Sequence, residues 1–377
     1  MTSRSYLDHA AGSPALPEAV AAMAEVLGVP GNPSSLHTAG RTARRTLEEA
    51  RESIAADLGA HPTEVVFTSG GTEANNLALL GGQAAGAAAG RPAVAISGIE
   101  HPSVAAVGDR LAEVVLLPVT ASGHLDVAAA AGLVGERTGL VSVMWVNNET
   151  GAVQPVQQVA ELARAAGALA HSDAVQAFGH LPVAFGESGL DLLTVSAHKL
   201  GGPVGIGALV VRRGVRLLPP GFGGGQEARL RSGTVPVALA AGFAAACRAA
   251  GARLVAESDR LARLRDRLIS GVLATVPGSV TNTVAPCGPA IVNLGFPGTR
   301  ADDVLLLLDA AGIDASTGSA CTAGVHQPSE VLLAMGRQVA DAAASLRFSF
   351  GPDTSVADVE RLLEVLPAIV ARARAAA

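Results

Sequence analysis

Lysine is all but missing from this chain. Lysine and arginine together number 27 among 377 residues, and Lys199 is the one lysine. Arginine stays charged in a protein and cannot condense with an aldehyde, whereas a desolvated lysine can do so. Any amine chemistry on a side chain therefore falls to Lys199. The alternative is a chance survivor of a composition that favours arginine over lysine. Its setting, after Leu192-Leu193-Thr194-Val195 and before Gly201-Gly202, is not that of an exposed helix. Cysteine is scarce as well. Cys247, Cys287 and Cys321 form no CxxC pair and no Cys/His group with zinc spacing, so neither a disulfide framework nor a structural metal is indicated. That usage fits a reducing, cytoplasmic setting. No basic run interleaved with aromatics occurs, and a net charge of -6 argues against a nucleic-acid groove or an anionic membrane surface. The N-terminus has no apolar signal core, and no apolar stretch reads as long enough to span a bilayer. Nor does a GxGxxG follow the first predicted strand, which removes the fingerprint of a nicotinamide-binding Rossmann protein.

What is present is a chain rich enough in apolar residues, at 49%, to build a large core. Short β-type runs alternate with Ala/Leu-rich helical stretches, the pattern of a mostly parallel sheet covered on both faces. The predicted strands are Glu64–Thr68, Ala93–Ser97, Val114–Pro118, Leu140–Trp145, Leu169–His171, Leu192–Val195 and Ile206–Val211. Several are apolar at both alternating positions, as burial of both faces requires. Val156–Ala166 has helical spacing. From Val237 to about Ala274 a long Ala/Arg/Leu-rich pattern reads as a connecting helix or helix pair. Then follow a strand near Ile291–Leu294, a helix at Asp302–Ala310, a strand at Leu346–Phe350 and a terminal helix from about Val356. The low-complexity segment Gly81–Gly90 reads as a helix end plus a loop. The expected architecture is α/β: a three-layer large domain over residues 16–250, and a smaller C-terminal α/β domain over 251–377 joined by residues 1–15.

In open α/β sheets ligands bind beyond the carboxyl ends of the strands. Those ends are chemically varied here. The first predicted strand leads into Ser69-Gly70-Gly71-Thr72-Glu73, a glycine turn whose N–H groups suit a phosphate, or else a helix capped by Ser69 or Thr72. The second leads to Glu100-His101, where the histidine is an acid/base or a cap. Asn147-Asn148 follow Leu140–Trp145 as binding amides or as turn formers. Asp173 follows Leu169–His171, with a helix cap as its plain alternative, and Lys199 follows Leu192–Val195. Pyridoxal phosphate would use the whole set: a lysine for its aldehyde, an anion beside its ring nitrogen, a helix start for its phosphate and a group over its ring. Asp173 would raise the basicity of that nitrogen. A second cluster, Ser316-Thr317-Gly318-Ser319-Ala320-Cys321-Thr322, puts a cysteine where nothing around it would make a core, which suits a sulfur-relaying nucleophile or an incidental surface cysteine. Cys247, in an Ala-rich helical run, reads as packing, and Cys287 as an incidental loop residue.

With these residues assembled, the chain resembles the cysteine desulfurases of the NifS/IscS type, class V of the fold-type-I pyridoxal-phosphate enzymes, over almost its whole length. The resemblance rests on Tyr6-Leu7-Asp8-His9-Ala10-Ala11, Gly31-Asn32-Pro33-Ser34-Ser35, Thr68-Ser69-Gly70-Gly71-Thr72-Glu73, Glu100-His101, Asn147-Asn148-Glu149, Ser196-Ala197-His198-Lys199, Arg231-Ser232-Gly233-Thr234, Gly318-Ser319-Ala320-Cys321-Thr322 and Arg347-Phe348-Ser349. It implies that Lys199 bonds the cofactor aldehyde, Asp173 pairs with the ring nitrogen, Gln176 bonds the ring hydroxyl, and His101 stacks on the ring and moves protons. Gly71, Thr72, Ser196 and His198 would hold the phosphate, with Thr234 reaching it from the other subunit of a homodimer. Asn148 and Arg347 would orient the substrate L-cysteine, Arg347 by a two-pronged grip on its carboxylate, with Asn32 near the same place. Cys321 would take the sulfur for an acceptor protein. Pro328, seven residues on, matches the long-loop group. Two stretches depart from the family pattern, Ala11-Gly12-Ser13-Pro14 and Thr322 to Pro328. Transamination, epimerisation or selenocysteine cleavage on the same fold, and a non-catalytic sulfur-carrier subunit, are the other readings this sequence admits.

Overall fold

The computed structural model describes residues 4–318 and 328–376. Seven strands form the central sheet in the order Val65–Thr68, Gly207–Val211, Leu192–Ser196, Leu169–Asp173, Thr138–Ser142, Ala93–Ser97 and Val114–Leu117. All neighbours are parallel except at Gly207–Val211, which runs antiparallel to both strands beside it. Six of the seven are buried at every position or all but one, which accounts for their continuous apolar runs. Register then sets the site. Gly207 pairs with both Thr68 and Ser196, and Asp173 pairs with Thr194, so the carboxyl ends carrying the Ser69 turn, Lys199 and Asp173 lie level along one edge.

Ala93–Ser97 recurs as predicted, and the other predicted strands recur with shifted ends. The largest shift is at Leu140–Trp145, which is a strand over Thr138–Ser142 only. Past Ser142 the backbone still bonds one neighbour, Trp145 N–H to the Asp173 carbonyl at 2.8 Å. On the other side the Glu100 carboxylate takes the Met144 N–H at 2.7 Å, and a side chain replaces the next strand. Gly81–Gly90, read as a helix end plus a loop, is mostly helix end: the helix Gly71–Ala88 runs through it and the turn is Ala89-Gly90. Its glycines are where it meets other backbone; a Cβ on Gly86 would fall 2.6 Å from the Arg91 carbonyl oxygen. Close approach keeps a segment helical that propensity alone would break.

The pattern from Val237 is one helix, Val237–Thr275. By length and composition it could cross a bilayer, contrary to the expectation that no stretch could. Its apolarity has another use. Phe243, Ala246 and Cys247 enter the main core with Ile54, Phe67, Val143 and Phe185, while Leu261, Leu264, Leu268 and Val272 enter a second core with Leu7, Val292, Phe348 and Leu366. Cys247 is packing, as expected. The second core lies under a small antiparallel sheet in the order Ser345–Ser349, Ile291–Gly295, Val280–Thr281. The chain start joins this region: Ser5–Tyr6 pairs with Ile313–Asp314, and Asp8 bridges to Ser349.

Candidate active site

The site is built where strand ends of the central sheet face the chain start and the strand Ser345–Ser349. The end expected to take a phosphate is the start of the helix Gly71–Ala88. Gly70 holds φ +154°, a conformation that favours glycine, and the helix start has no side-chain cap, so neither Ser69 nor Thr72 is the capping residue. The first N–H groups stay available to an anion in the field of the helix dipole. A Cβ on Gly71 would fall 2.9 Å from Val175 Cγ2 and 3.7 Å from Ser196 Cβ, so this glycine lets the turn close on the segments that carry Asp173 and Lys199. Ser196 Oγ and His198 Nδ1 lie 2.9 Å apart. Burial and the nearby Lys199 charge push the His198 pKa down to about 4, leaving a neutral ring that keeps one N–H to donate.

Asp173 ends its strand almost fully buried. Oδ2 accepts from Asn75 Nδ2 at 2.6 Å and Oδ1 from the Val175 N–H at 2.9 Å, so the aspartate is held in a turn and caps no helix. Asn75 Nδ2 also lies 2.8 Å from Ser103 Oγ, which in turn is 2.8 Å from His101 Nδ1. The Ser103 N–H donates to that same Nδ1, so a neutral His101 carries its proton on Nε2. His101 therefore does cap its helix, and the cap fixes the tautomer of a candidate acid/base. Burial lowers its pKa, with Asp173 opposing and the Lys199 and Arg347 charges reinforcing the effect.

Lys199 closes the short turn after Leu192–Ser196. Its Nζ donates to the carbonyls of Ala10 at 2.6 Å and Ala11 at 2.8 Å, and Gln176 Nε2 donates to the same Ala10 carbonyl at 2.9 Å. Of the paired amides, Asn147 is the turn former, its Oδ1 accepting from the Glu149 and Thr150 N–H groups. Asn148 differs: its Oδ1 is buried without a hydrogen-bond partner among the described residues. Beside it Arg347, 3% exposed, donates from Nη1 to the Asn148 carbonyl at 2.9 Å and from Nη2 to Asp8 Oδ1 at 2.8 Å, while its buried Nε has no partner.

Asn32 and Thr234 stand elsewhere. They line a cavity of about 470 Å³ with Arg44, Arg51 and Glu227. Among the described residues no hydrogen bond joins either to Lys199, Asn148 or Arg347. Asn32 Oδ1 accepts from the Ser34 N–H at 2.9 Å, a local turn. Cys321 lies outside the described residues.

Several partners were invisible in the sequence. Asn75 reads as an ordinary helix residue, and Asp8 was legible only as part of a motif. Glu100 accepts from Ser97 Oγ and the Met144 N–H on one oxygen, and its other oxygen is buried without a partner. Burial, with Asp173 adding to it, pushes its pKa up to about 8. Glu149 is buried too, and Ser329 Oγ donates to its carboxylate. A Cβ on Gly318 would come within 3.0 Å of that carboxylate, so one side chain touches residues on either side of the segment that contains Cys321.

The residues present suit pyridoxal phosphate by the chemistry of the set: an uncapped helix start beside Ser196 and His198, a buried carboxylate at a strand end, and one lysine level with it. The sequence profile of the class-V aminotransferases matches residues 5–362, and the chain belongs to that family of pyridoxal-phosphate enzymes. Within it, the chain is 48% identical over 385 aligned positions to an IscS-like cysteine desulfurase of Mycobacterium tuberculosis (strain ATCC 25618 / H37Rv), covering 99% of this chain and 98% of that one. A solved NifS-like protein superposes with a TM-score of 0.91 at 31% identity, covering 98% of this chain and 100% of that one. A structure described as SspA in complex with cysteine does so with a TM-score of 0.81 at 31% identity, covering 93% and 100%. The chain is thus of the NifS/IscS cysteine desulfurase type.

Proposed function

We propose that this enzyme takes the sulfur from L-cysteine, releases L-alanine and leaves the sulfur on Cys321 as a persulfide for an acceptor protein. The carrying observation is the pair of unpartnered buried atoms, Asn148 Oδ1 and Arg347 Nε, on residues that touch each other. A buried N–H without a partner costs about 1–3 kcal/mol, and an amino-acid substrate with its carboxylate on Arg347 offsets it. Cysteine is the amino acid named in complex with the similar SspA structure.

Bound pyridoxal phosphate supplies the electron sink for the pair left when the substrate Cα proton departs. The chain's residues do the rest. Asp173 would pair its carboxylate with the ring nitrogen, and the helix start at Gly71 and Thr72, together with Ser196 and His198, would hold the phosphate. Gln176 would bond the ring hydroxyl. Lys199 would bond the cofactor aldehyde and, as a free amine, would take the substrate Cα proton and return it to carbon. His101, with Nδ1 committed to Ser103, offers Nε2 for proton movement above the ring. The Cys321 thiolate attacks the substrate sulfur; the carbon–sulfur bond breaks, its electron pair stays on carbon with an added proton, and a sulfur–sulfur bond forms. L-cysteine and a thiol thus become L-alanine and a persulfide.

We also propose a cytoplasmic homodimer in which Thr234 reaches the partner's phosphate. Arg231 Nε bonds Glu73 Oε1 at 3.0 Å, which ties the Thr234 loop to the phosphate helix of its own chain. Iron–sulfur cluster assembly and tRNA thiolation are the sulfur-acceptor pathways to be examined. Lys199→Ala should lose the absorbance near the visible edge that a lysine-bound cofactor gives, while Cys321→Ala should keep that colour and release no alanine from cysteine. A Cys321→Ala variant that still produces alanine at the wild-type rate would overturn this function.

A further inference from the structure

The guanidinium of Arg347 is not an empty hand waiting for a carboxylate. Its backbone is fixed on both sides: Arg347 N–H donates to the Ser316 carbonyl at 2.7 Å, and Ser316 N–H to the Arg347 carbonyl at 3.1 Å. Its side chain is nearly fully buried. The head offers five N–H donors in a planar fork. One on Nη1 is committed to the Asn148 carbonyl at 2.9 Å, and Nε has no partner. A two-pronged grip needs two parallel N–H groups on one edge, and the edge of Nε and Nη2 is the one that remains. Nη2 is where Asp8 Oδ1 sits, at 2.8 Å.

Asp8 is built to yield. Its backbone is held: its carbonyl accepts from the Ala11 N–H at 3.0 Å and from the Tyr6 hydroxyl at 3.1 Å, and Asp8 itself forms an isolated bridge to Ser349. Its side chain is 21% exposed against 3% for Arg347, so the carboxylate can rotate toward water without moving the chain. A buried arginine left alone would be costly, and a carboxylate that can be exchanged keeps it paired throughout.

We propose that Asp8 is a specificity-determining residue whose carboxylate competes with the substrate α-carboxylate for Arg347, so that amino-acid binding exchanges one carboxylate for another. The proposal rests on the reading that Arg347 takes the substrate carboxylate. Its consequence is a deliberately moderate grip, with product alanine released as Asp8 returns.

The test uses the pyridoxal-phosphate-loaded enzyme and two ligands that undergo no desulfuration, L-alanine and its carboxylate-free counterpart ethylamine. Their dissociation constants are measured by calorimetry for the wild type, Asp8→Asn and Asp8→Glu. In Asp8→Asn the L-alanine constant should fall about tenfold while that of ethylamine stays within about twofold, since only the carboxylate has lost its competitor. Asp8→Glu keeps the charge and should retain a wild-type ratio of the two constants. Weaker L-alanine binding in Asp8→Asn would mean that Asp8 merely orients Arg347, and equal tightening of both ligands would mean a long-range charge effect; either overturns the proposal. Sulfide release from cysteine by the wild type, measured separately, tells failure of the desulfurase reading from failure of this one.

Discussion

The ring end and the carboxylate end of the site each place a buried charge on a strand, and they differ in how that charge is satisfied. Asp173 has both oxygens engaged by its own chain, through Asn75 and the Val175 N–H. Arg347 keeps Nε unpaired among the described residues and shares Nη2 with the partly exposed carboxylate of Asp8. One end is finished before any ligand arrives, and the other is completed by it. Preorganisation suits a cofactor that stays, while an open donor suits a substrate that must leave.

Breaking the ring end should have the largest effect. Asp173→Ala removes the anion proposed to pair with the ring nitrogen, and a loss of roughly 100- to 1000-fold in kcat is expected from steady-state alanine production. Arg347→Ala should cost about 100-fold in kcat/KM, carried mostly by KM, because a buried charge-assisted grip is lost while the electron sink is intact. A dominant kcat effect there would erase the contrast between the two ends. Asn75→Ala probes whether the finished end depends on its support: about tenfold weaker cofactor retention is expected in equilibrium dialysis, as one hydrogen bond to a charged oxygen disappears. The smallest effect is a pH profile. Glu100 has its pKa raised to about 8 by burial, so the stability it contributes is full below its unfolded value and is lost as pH rises through 8. In denaturant melts the wild type should lose stability relative to Glu100→Gln between about pH 5 and 9. A gap independent of pH would show that this carboxyl is not held protonated. Acid should act oppositely, and in both proteins: His171, lowered to about 3 by burial, loses its contribution as pH falls below its usual range toward 3.

Much of this was legible in the chain. The central strands were visible because burial on both faces leaves runs of apolar residues, and their ends pointed to Asp173 and Lys199 because ligands gather there. Composition alone singled out Lys199. What stayed hidden was set by packing. The helix through Gly81–Ala88 depends on close backbone contact that no local propensity encodes. The apolarity of Val237–Thr275 serves two cores at once, a fact visible only when both are assembled. His101 and Asn147 show a different limit. Capping and turn formation were weighed against function for each; His101 caps while facing the site, and Asn147 forms the turn that presents Asn148. Asn32 was placed near the substrate by motif, but within one chain it lines the other cavity.

The Ala10 carbonyl, which accepts from both Lys199 and Gln176, has a consequence for how the site can be probed or diversified. It belongs to the main chain, so an alanine scan passes over it without a signal, and a change of side chain at the buried position 10 reaches it only through packing. Proline is the exception, because the Ala10 N–H is needed by Ser349 Oγ at 2.8 Å. This part of the site is written in the path of the backbone, and homologues could differ in letters here while keeping the same chemistry.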